Sequence, residues 1–194
     1  MKSVLISIRP EWCEKIANKV KSLEIRKTVP KLKPPFKVYI YCTSGPPYLN
    51  SHNGYVYLEE RDRLGFRGQG LYRRLNPGII GEFVCDRIDY WNYHIHDNDT
   101  ITLERASELS RVSEDELLKY ADLGHFYAWH ISDLVIYEHP MELGMFAKPD
   151  KCPYNLNGEC AYPRHCYRAG QTKRCGDYLE RPPQSWCYVE EVTP

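Results

Sequence analysis

The run Lys21-Ser22-Leu23-Glu24-Ile25-Arg26-Lys27 alternates apolar and charged side chains with a period of two. Such alternation reads as a β-strand, because successive side chains leave a strand on opposite faces. Leu23 and Ile25 then face a core, and Glu24 and Arg26 share the other face. Lys21 stands where the preceding segment hands over to the strand. An amine, a carboxylate and a guanidinium gathered in this way suit the binding of a phosphate and a polar base, or the transfer of a proton.

The flanking segments give this strand its setting. Val4, Ile6 and Ile8 alternate with Leu5 and Ser7, so residues 3–8 read as a strand. Pro10 suits the first turn of a helix. Trp12, Ile16 and Ala17 continue it with helical spacing as far as Asn18 or Lys19. After Pro30, Pro34 and Pro35, residues 37–43 form another strand, with Val38, Ile40 and Cys42 on one face. Residues 44–77 read as irregular, with a short hairpin through Tyr55–Leu58. Residues 78–91 read as one long strand. Ser113 and Glu116 form a capping-box pattern that starts a helix over 114–122. Residues 126–137 read as one buried strand, 140–146 as a helical turn or two, and 185–189 as a last strand. Strands outnumber helices without regular alternation. The expected fold class is therefore α+β: a small mixed β barrel with flanking helices.

Four segments resemble the ASCH domain, a branch of the PUA-like fold: Ile6-Ser7-Ile8-Arg9-Pro10, Lys21–Lys27, Gly81-Glu82-Phe83-Val84 and Ala128-Trp129-His130-Ile131. Lys21, Glu24 and Arg26 match the family's Gly-x-Lys-x-x-Glu-x-Arg pattern, with Asn18 and Lys19 where the glycine falls. The resemblance covers about residues 1–137. It implies a PUA-like pseudo-barrel with a cleft for RNA or a nucleobase. Some members are similar to ribonucleases. Another group, with Lys-x-x-Thr, is similar to amidohydrolases of acetylated cytidine; here Glu24 stands in the Thr place. The tail Arg181-Pro182-Pro183-Gln184-Ser185-Trp186 resembles that of long phage or bacterial versions and carries no evident chemistry.

Composition sets the outer limits. The chain has 194 residues, no net charge and 13% aromatic residues, 16 of them Tyr. Residues 1–37 hold ten Lys or Arg against three acids (Glu11, Glu14 and Glu24), so a basic end faces a more acidic remainder. A basic end suits a polyanion. No apolar run approaches the ~18 residues of a membrane span, and Val4-Leu5-Ile6 is too short for a signal core. A cytoplasmic protein is expected, with its eight Cys as thiols or metal ligands.

Within the cleft, Arg9, Lys21, Arg26 and Lys27 are candidate phosphate contacts, Glu24 a reader or positioner of a base, and Trp129 a stacking wall. Lys21, Glu24 and His130 are the candidate catalytic groups if the protein is an enzyme, with His130 as proton shuttle. Residues 44–77 interleave Tyr48, Tyr55, Tyr57, Phe66 and Tyr72 with Arg61, Arg63, Arg67, Arg73 and Arg74, a mixture suited to single-stranded RNA. His94, His96 and Asp97 offer a ligand pair without a third partner nearby.

Cys152, Cys160, Cys166 and Cys175 are separated by seven, five and eight residues. Four thiolates in such a Gly- and Pro-containing segment suit a zinc site, with His165 or Cys187 as spares and an iron–sulfur cluster as a lesser alternative. The expected organisation is an ASCH/PUA-like domain over 1–147 and a Cys-rich knuckle over 148–194 packing back on the barrel. The leading functional expectation is binding of RNA or a nucleotide-like ligand. The alternatives are a hydrolase in the same cleft, acting on RNA or a modified nucleoside, and a protein-interaction module of a mobile element.

Overall fold

The computed structural model describes residues 1–61, 73–149, 155–156, 159–160 and 178–192. The chain opens with β1 (Lys2–Ile8), α1 (Pro10–Ala17), β2 (Leu23–Arg26) and β3 (Phe36–Cys42). A hairpin of β4 (Tyr48–His52) and β5 (Tyr55–Glu59) follows, then β6 (Arg73–Arg74), β7 (Gly78–Cys85) and β8 (Ile88–Asn92). Two helices come next, α2 (Leu103–Ser110) and α3 (Glu114–Ala121), and two strands, β9 (His125–His130) and β10 (Ser132–Met141). A 3-10 turn covers Leu143–Met145. β11 (Asn155–Leu156), β12 (Glu159–Cys160) and β13 (Trp186–Glu190) complete the order.

The class is α+β, as expected. The main sheet runs β10-β7-β3-β1-β13 and is mixed: β1 lies parallel to β3, and its other pairings are antiparallel. A smaller antiparallel sheet runs β2-β9-β8. Each face of these sheets has its own apolar layer. Val4, Ile6, Val38, Ile40, Phe83 and Trp129 belong to the central layer. Leu23, Ile25, Phe126 and Ala128 meet α2 and α3 in a second. Leu5, Tyr39, Ile79 and Phe146 form a third, on the far side of the main sheet.

Alternation therefore persists along β3, but both faces are buried: Tyr39 and Tyr41 join the third layer while Val38 and Ile40 join the first. Tyr is suited to this because its hydroxyl can find a partner while its ring packs. The Tyr39 hydroxyl donates to Val192 O and accepts from Val192 N, each at 3.0 Å.

Three local expectations need correction. Residues 78–91 form two strands in different sheets, broken at Asp86-Arg87, and 126–137 likewise divides at Ile131. Each apolar run continues through its bend, so periodicity gives no sign of the change of sheet. The described residues of the stretch 44–77, which are 44–61 and 73–77, carry more regular structure than expected. Their hairpin pairs Tyr48 with Glu59 through to His52 with Tyr55, closing over Asn53 and Gly54 at φ +51° and +81°. Positive φ at both turn residues is what a two-residue hairpin of this twist requires. Asn76 braces the segment: its amide accepts from Leu49 N at 2.8 Å and donates to Thr43 O and Gly45 O at 3.2 and 3.0 Å.

Helix α3 starts at the expected capping box, with Ser113 Oγ accepting from Glu116 N and the Glu116 carboxylate accepting from Ser113 N. Helix α2 was not expected. Its fully buried residues are the small Ala106 and Ser110, Leu103 and Leu109 pack half-buried beside them, and Thr102 caps it. β13 pairs with the outer edge of β1, so the C-terminal 47 residues expected as an extension supply a strand of the main sheet.

Candidate functional site

β2 lies between the helical layer and the main sheet, and this placement buries both of its faces. Leu23 and Ile25 point toward α2 and α3. Glu24 points the other way, opposite Trp129 of β9. Glu24 is 5% exposed and Lys21 3%. Glu24 Oε1 is 3.1 Å from Arg26 Nη2, and Glu24 Oε2 is 3.5 Å from Lys21 Nζ. The carboxylate thus sits between two cations in a space nearly closed to solvent.

Each cation has a second anchor. Lys21 Nζ donates to Ser110 O at 2.9 Å, the end of α2. It also lies 5.2 Å from the centre of the Trp12 ring on α1. Arg26 Nη2 donates to Ser7 O of β1 at 2.7 Å. Burial pushes the Lys21 pKa below the ordinary lysine value, and the neighbouring Glu24 opposes that shift without cancelling it.

Two buried N–H groups in this neighbourhood, Arg26 Nε and Trp129 Nε1, have no hydrogen-bond partner, and Glu24 Oε2 has only its 3.5 Å ion pair with Lys21. Glu24 and Trp129 are directly paired across β2 and β9, and Arg26 is two residues along β2, so all three side chains share one sheet face. Buried polar atoms are almost always satisfied, so the two unpartnered donors on this face are exceptions to the rule.

A pocket of about 380 Å³ opens next to Lys21, lined by Lys19, Lys21, Ser22, Ile131, Asp133 and Leu134. That is near the lower end of small-ligand sites, roughly 300–1,000 Å³. Lys19 has φ +58°, the left-handed conformation that favours glycine. It falls two residues before Lys21, where the ASCH pattern has its Gly.

The remaining candidates are dispersed. The Arg9 side chain is 78% exposed at the β1–α1 junction, 4.0 Å from Glu11. Lys27 is exposed, its ammonium 5.5 Å from the Tyr120 ring centre. Trp129 is fully buried and packs edge-on against Phe36, ring centres 5.9 Å apart. His130 pairs with Leu23, so it leaves β9 on the face opposite to Glu24. There its Nε2 is 2.7 Å from Asp89 Oδ2, and Arg87 Nη2 is 3.0 Å from the same oxygen. His130 and Glu24 are thus not brought into one cleft. His96 Nδ1 is engaged with Asp99 at 2.9 Å, and no cluster of three metal-ligating groups occurs among the described residues. Tyr48 stacks under the Arg74 guanidinium at 4.2 Å, and Arg73 pairs with Glu138 at 2.9 Å. Arg63, Phe66, Arg67 and Tyr72 lie outside the described residues, as do Cys152, His165, Cys166 and Cys175; of Cys160 only the backbone, in β12, is described. Cys187 sits in β13 beside the third apolar layer.

Sequence reasoning missed the carbonyl of Ser110, the Trp12 ring, Asp89 and the strap of residues 183–186. Ser110 and Asp89 carry no local signal. The strap was visible as a motif, but its destination was not. Ser7 Oγ donates to Pro183 O at 2.6 Å and Ser7 N to Ser185 O at 2.8 Å. The Trp186 ring lies 6.0 Å from that of Trp129.

No family model matches the chain, and no curated protein matches it. Solved structures similar to it include the ASCH protein of Zymomonas mobilis, at 16% identity and TM-score 0.46, covering 97% of this chain and 88% of that one. Two single-substitution mutants of the Zymomonas protein are also similar. One has 16% identity and TM-score 0.49 over 74% of this chain and 77% of that one. The other has 14% identity and TM-score 0.49 over 97% and 89%. ASCH is the family that residues 6–10, 21–27, 81–84 and 128–131 resemble.

Proposed function

We propose that this protein binds RNA or a nucleobase-containing ligand in the cleft beside Lys21 and Glu24. The observation that carries the reading is one buried face that holds two unpartnered donors, Arg26 Nε and Trp129 Nε1, beside the Glu24 carboxylate, whose Oε2 is held only by the 3.5 Å approach of Lys21. One acceptor and two N–H donors suit the polar edge of a base, which offers both donors and acceptors in one plane. Lys21 and Arg26 are committed to Glu24. Contact with phosphate therefore falls to the exposed cations around them, Arg9, Lys19 and Lys27.

Salt dependence tests this. Three phosphate contacts to a single strand give a slope of about −2 for log affinity against log salt concentration. Titrating a short single-stranded RNA at several salt concentrations measures it. An affinity indifferent to salt, or no binding, overturns the reading.

A hydrolase in the same cleft is the second reading, and one observation favours it. Burial makes the Lys21 ammonium easier to deprotonate, and a neutral buried amine is a competent general base. Incubation with labelled RNA and with acetylated cytidine tests it. Turnover lost in Lys21→Ala supports an enzyme; no turnover of either substrate leaves binding as the function.

For the tail we propose zinc on Cys152, Cys160, Cys166 and Cys175, supported by the four thiols and their spacing. Metal analysis should give about one zinc per chain, lost in Cys160→Ser.

A further inference from the structure

The pocket beside Lys21 is built from two segments of the chain. Lys19, Lys21 and Ser22 come from the junction of α1 and β2, and Ile131, Asp133 and Leu134 from the bend between β9 and β10. Ile131 N donates to Ser22 O at 3.0 Å, which pins one wall to the other. Ile131 and Leu134 rest half-buried on the central apolar layer and give the pocket its apolar surface. Asp133 and Leu134 are consecutive, yet both line the pocket. In a regular strand they would leave on opposite faces. β10 breaks that rule here: three steps from Ser132 to Val135 answer two steps from Val84 to Glu82 on β7. The extra residue is a β-bulge, a device that re-aims a side chain and is common beside functional sites. Asp133 takes φ +46° in it, a conformation that few side chains adopt.

The charged groups at this pocket differ in how they are engaged. Lys21 is committed to Glu24 and Ser110. The Lys19 ammonium and the Asp133 carboxylate are exposed, and neither has a hydrogen-bond or ion-pair partner among the described residues. The pocket therefore offers N–H donors on one wall, an acceptor-only carboxylate on the other and apolar surface between them. Its complement is a flat ring with oxygen acceptors or a negative charge at one end and N–H donors at the other. A nucleotide with an amino group on its base has that pattern. A carbonyl oxygen in place of the amino group would face the carboxylate with like partial charge.

We infer that Asp133 selects the base at this site: its carboxylate accepts from an exocyclic amino group, so the pocket takes an amino-bearing base and turns away one with a carbonyl oxygen in that position. This rests on the nucleobase reading proposed above and adds the residue that sets its specificity.

CMP and UMP are the probes, because they share sugar and phosphate and differ only along the base edge, amino in the first and carbonyl in the second. Titration of the parent is expected to show CMP bound about tenfold tighter, the worth of one hydrogen bond to a charged group. In Asp133→Ala and Asp133→Asn the two are expected to bind within about threefold of each other, since a methyl accepts nothing and a carboxamide can turn to donate or accept. An exposed side chain without a structural partner leaves Tm within about 2 °C in Asp133→Asn; a larger fall makes the carboxylate structural and overturns the assignment. The same comparison with short oligocytidylate and oligouridylate identifies the source of the base. A preference in the strands assigns a base within RNA, a preference in the monophosphates alone assigns the free nucleotide, and either supports Asp133. Equal binding of both bases by the parent, or a preference that survives in both variants, overturns the role of Asp133 and leaves the proposed function standing. A parent protein that binds none of these probes overturns both.

Discussion

Glu24 holds one negative charge against two positive ones in a space that water barely enters. Taking ions out of water is costly, and the mutual attraction of a well-placed cluster offsets that cost. The arrangement is asymmetric, because Glu24 serves both cations and each cation has a separate carbonyl anchor. Glu24→Gln leaves Lys21 and Arg26 side by side without their counter-charge, and about 3–5 kcal/mol of stability should be lost in urea unfolding. Lys21→Met leaves Glu24 paired with Arg26 and should cost less, about 1–3 kcal/mol. The double variant should fall short of the sum by more than about 0.5 kcal/mol, because the two residues share one interaction. Strict additivity would mean that the 3.5 Å approach carries no energy. Proton linkage gives a second check. The native state binds the Lys21 proton less tightly than the unfolded chain, so this group's contribution to stability is lowest and constant below its native pKa. It rises with pH from there up to the ordinary lysine value. Parent minus Lys21→Met stability should therefore increase with pH in that window; a decrease contradicts the direction of the shift.

At the scale of elements, Gly81 is the position where two strands depend on one missing side chain. A Cβ there would meet Val135 O of β10 at 2.2 Å and Ile136 Cα at 3.1 Å, and neither backbone atom can turn aside. Gly81→Ala should cost about 3 kcal/mol or more, since β10 must shift to admit the methyl. Calorimetry showing a loss below about 1 kcal/mol would mean that the β7–β10 edge yields easily. The Ser113 cap is a milder case. Removing it in Ser113→Ala should cost about 1 kcal/mol. The Ser113 hydrogen bonds hold the Glu116 pKa below the usual carboxylate range. The stabilisation they give is present above the unfolded Glu pKa and lost as pH falls through the native one. Only one of these two features was legible in sequence. The capping box is a local pattern of four residues, read correctly. The need for glycine at 81 arises from a strand more than fifty residues away, and no local reading reaches it.

At the scale of the molecule, β13 closes the main sheet by covering the outer edge of β1. A chain ending at Ser185 would leave β1 with unpaired N–H and C=O groups flanked by apolar layers on both sides. Such an edge invites pairing with other chains. Size-exclusion chromatography of that truncation should show association that the full chain lacks; a well-behaved truncation would show that the edge is protected by other means. The surface potential also changes at this scale. Of the ten cations in residues 1–37, Lys21 and Arg26 are consumed by Glu24, and Lys37 by Glu82 and Glu191 at 3.0 and 3.1 Å. The basic end is therefore smaller in space than in sequence. Among the described residues, no helix is long and apolar enough to cross a membrane.

The period-two run at 21–27, the alternation in β1 and β3, the Pro10 start of α1 and the capping box of α3 were determined by the sequence alone. Each depends on residues within one or two turns or pleats of one another. The α+β class followed from the same local signals. Only the tertiary structure decided that Glu24 faces a closed interior, that His130 leaves the opposite face of its sheet, and that the Pro-Pro-Gln-Ser-Trp tail lies against Ser7. Alternation says which side chains share a face, but the layer packed against that face is set by contacts between residues far apart in the chain. Those contacts turned an apparent surface row of charges into a buried ion cluster with two buried donors, Arg26 Nε and Trp129 Nε1, left without a hydrogen-bond partner.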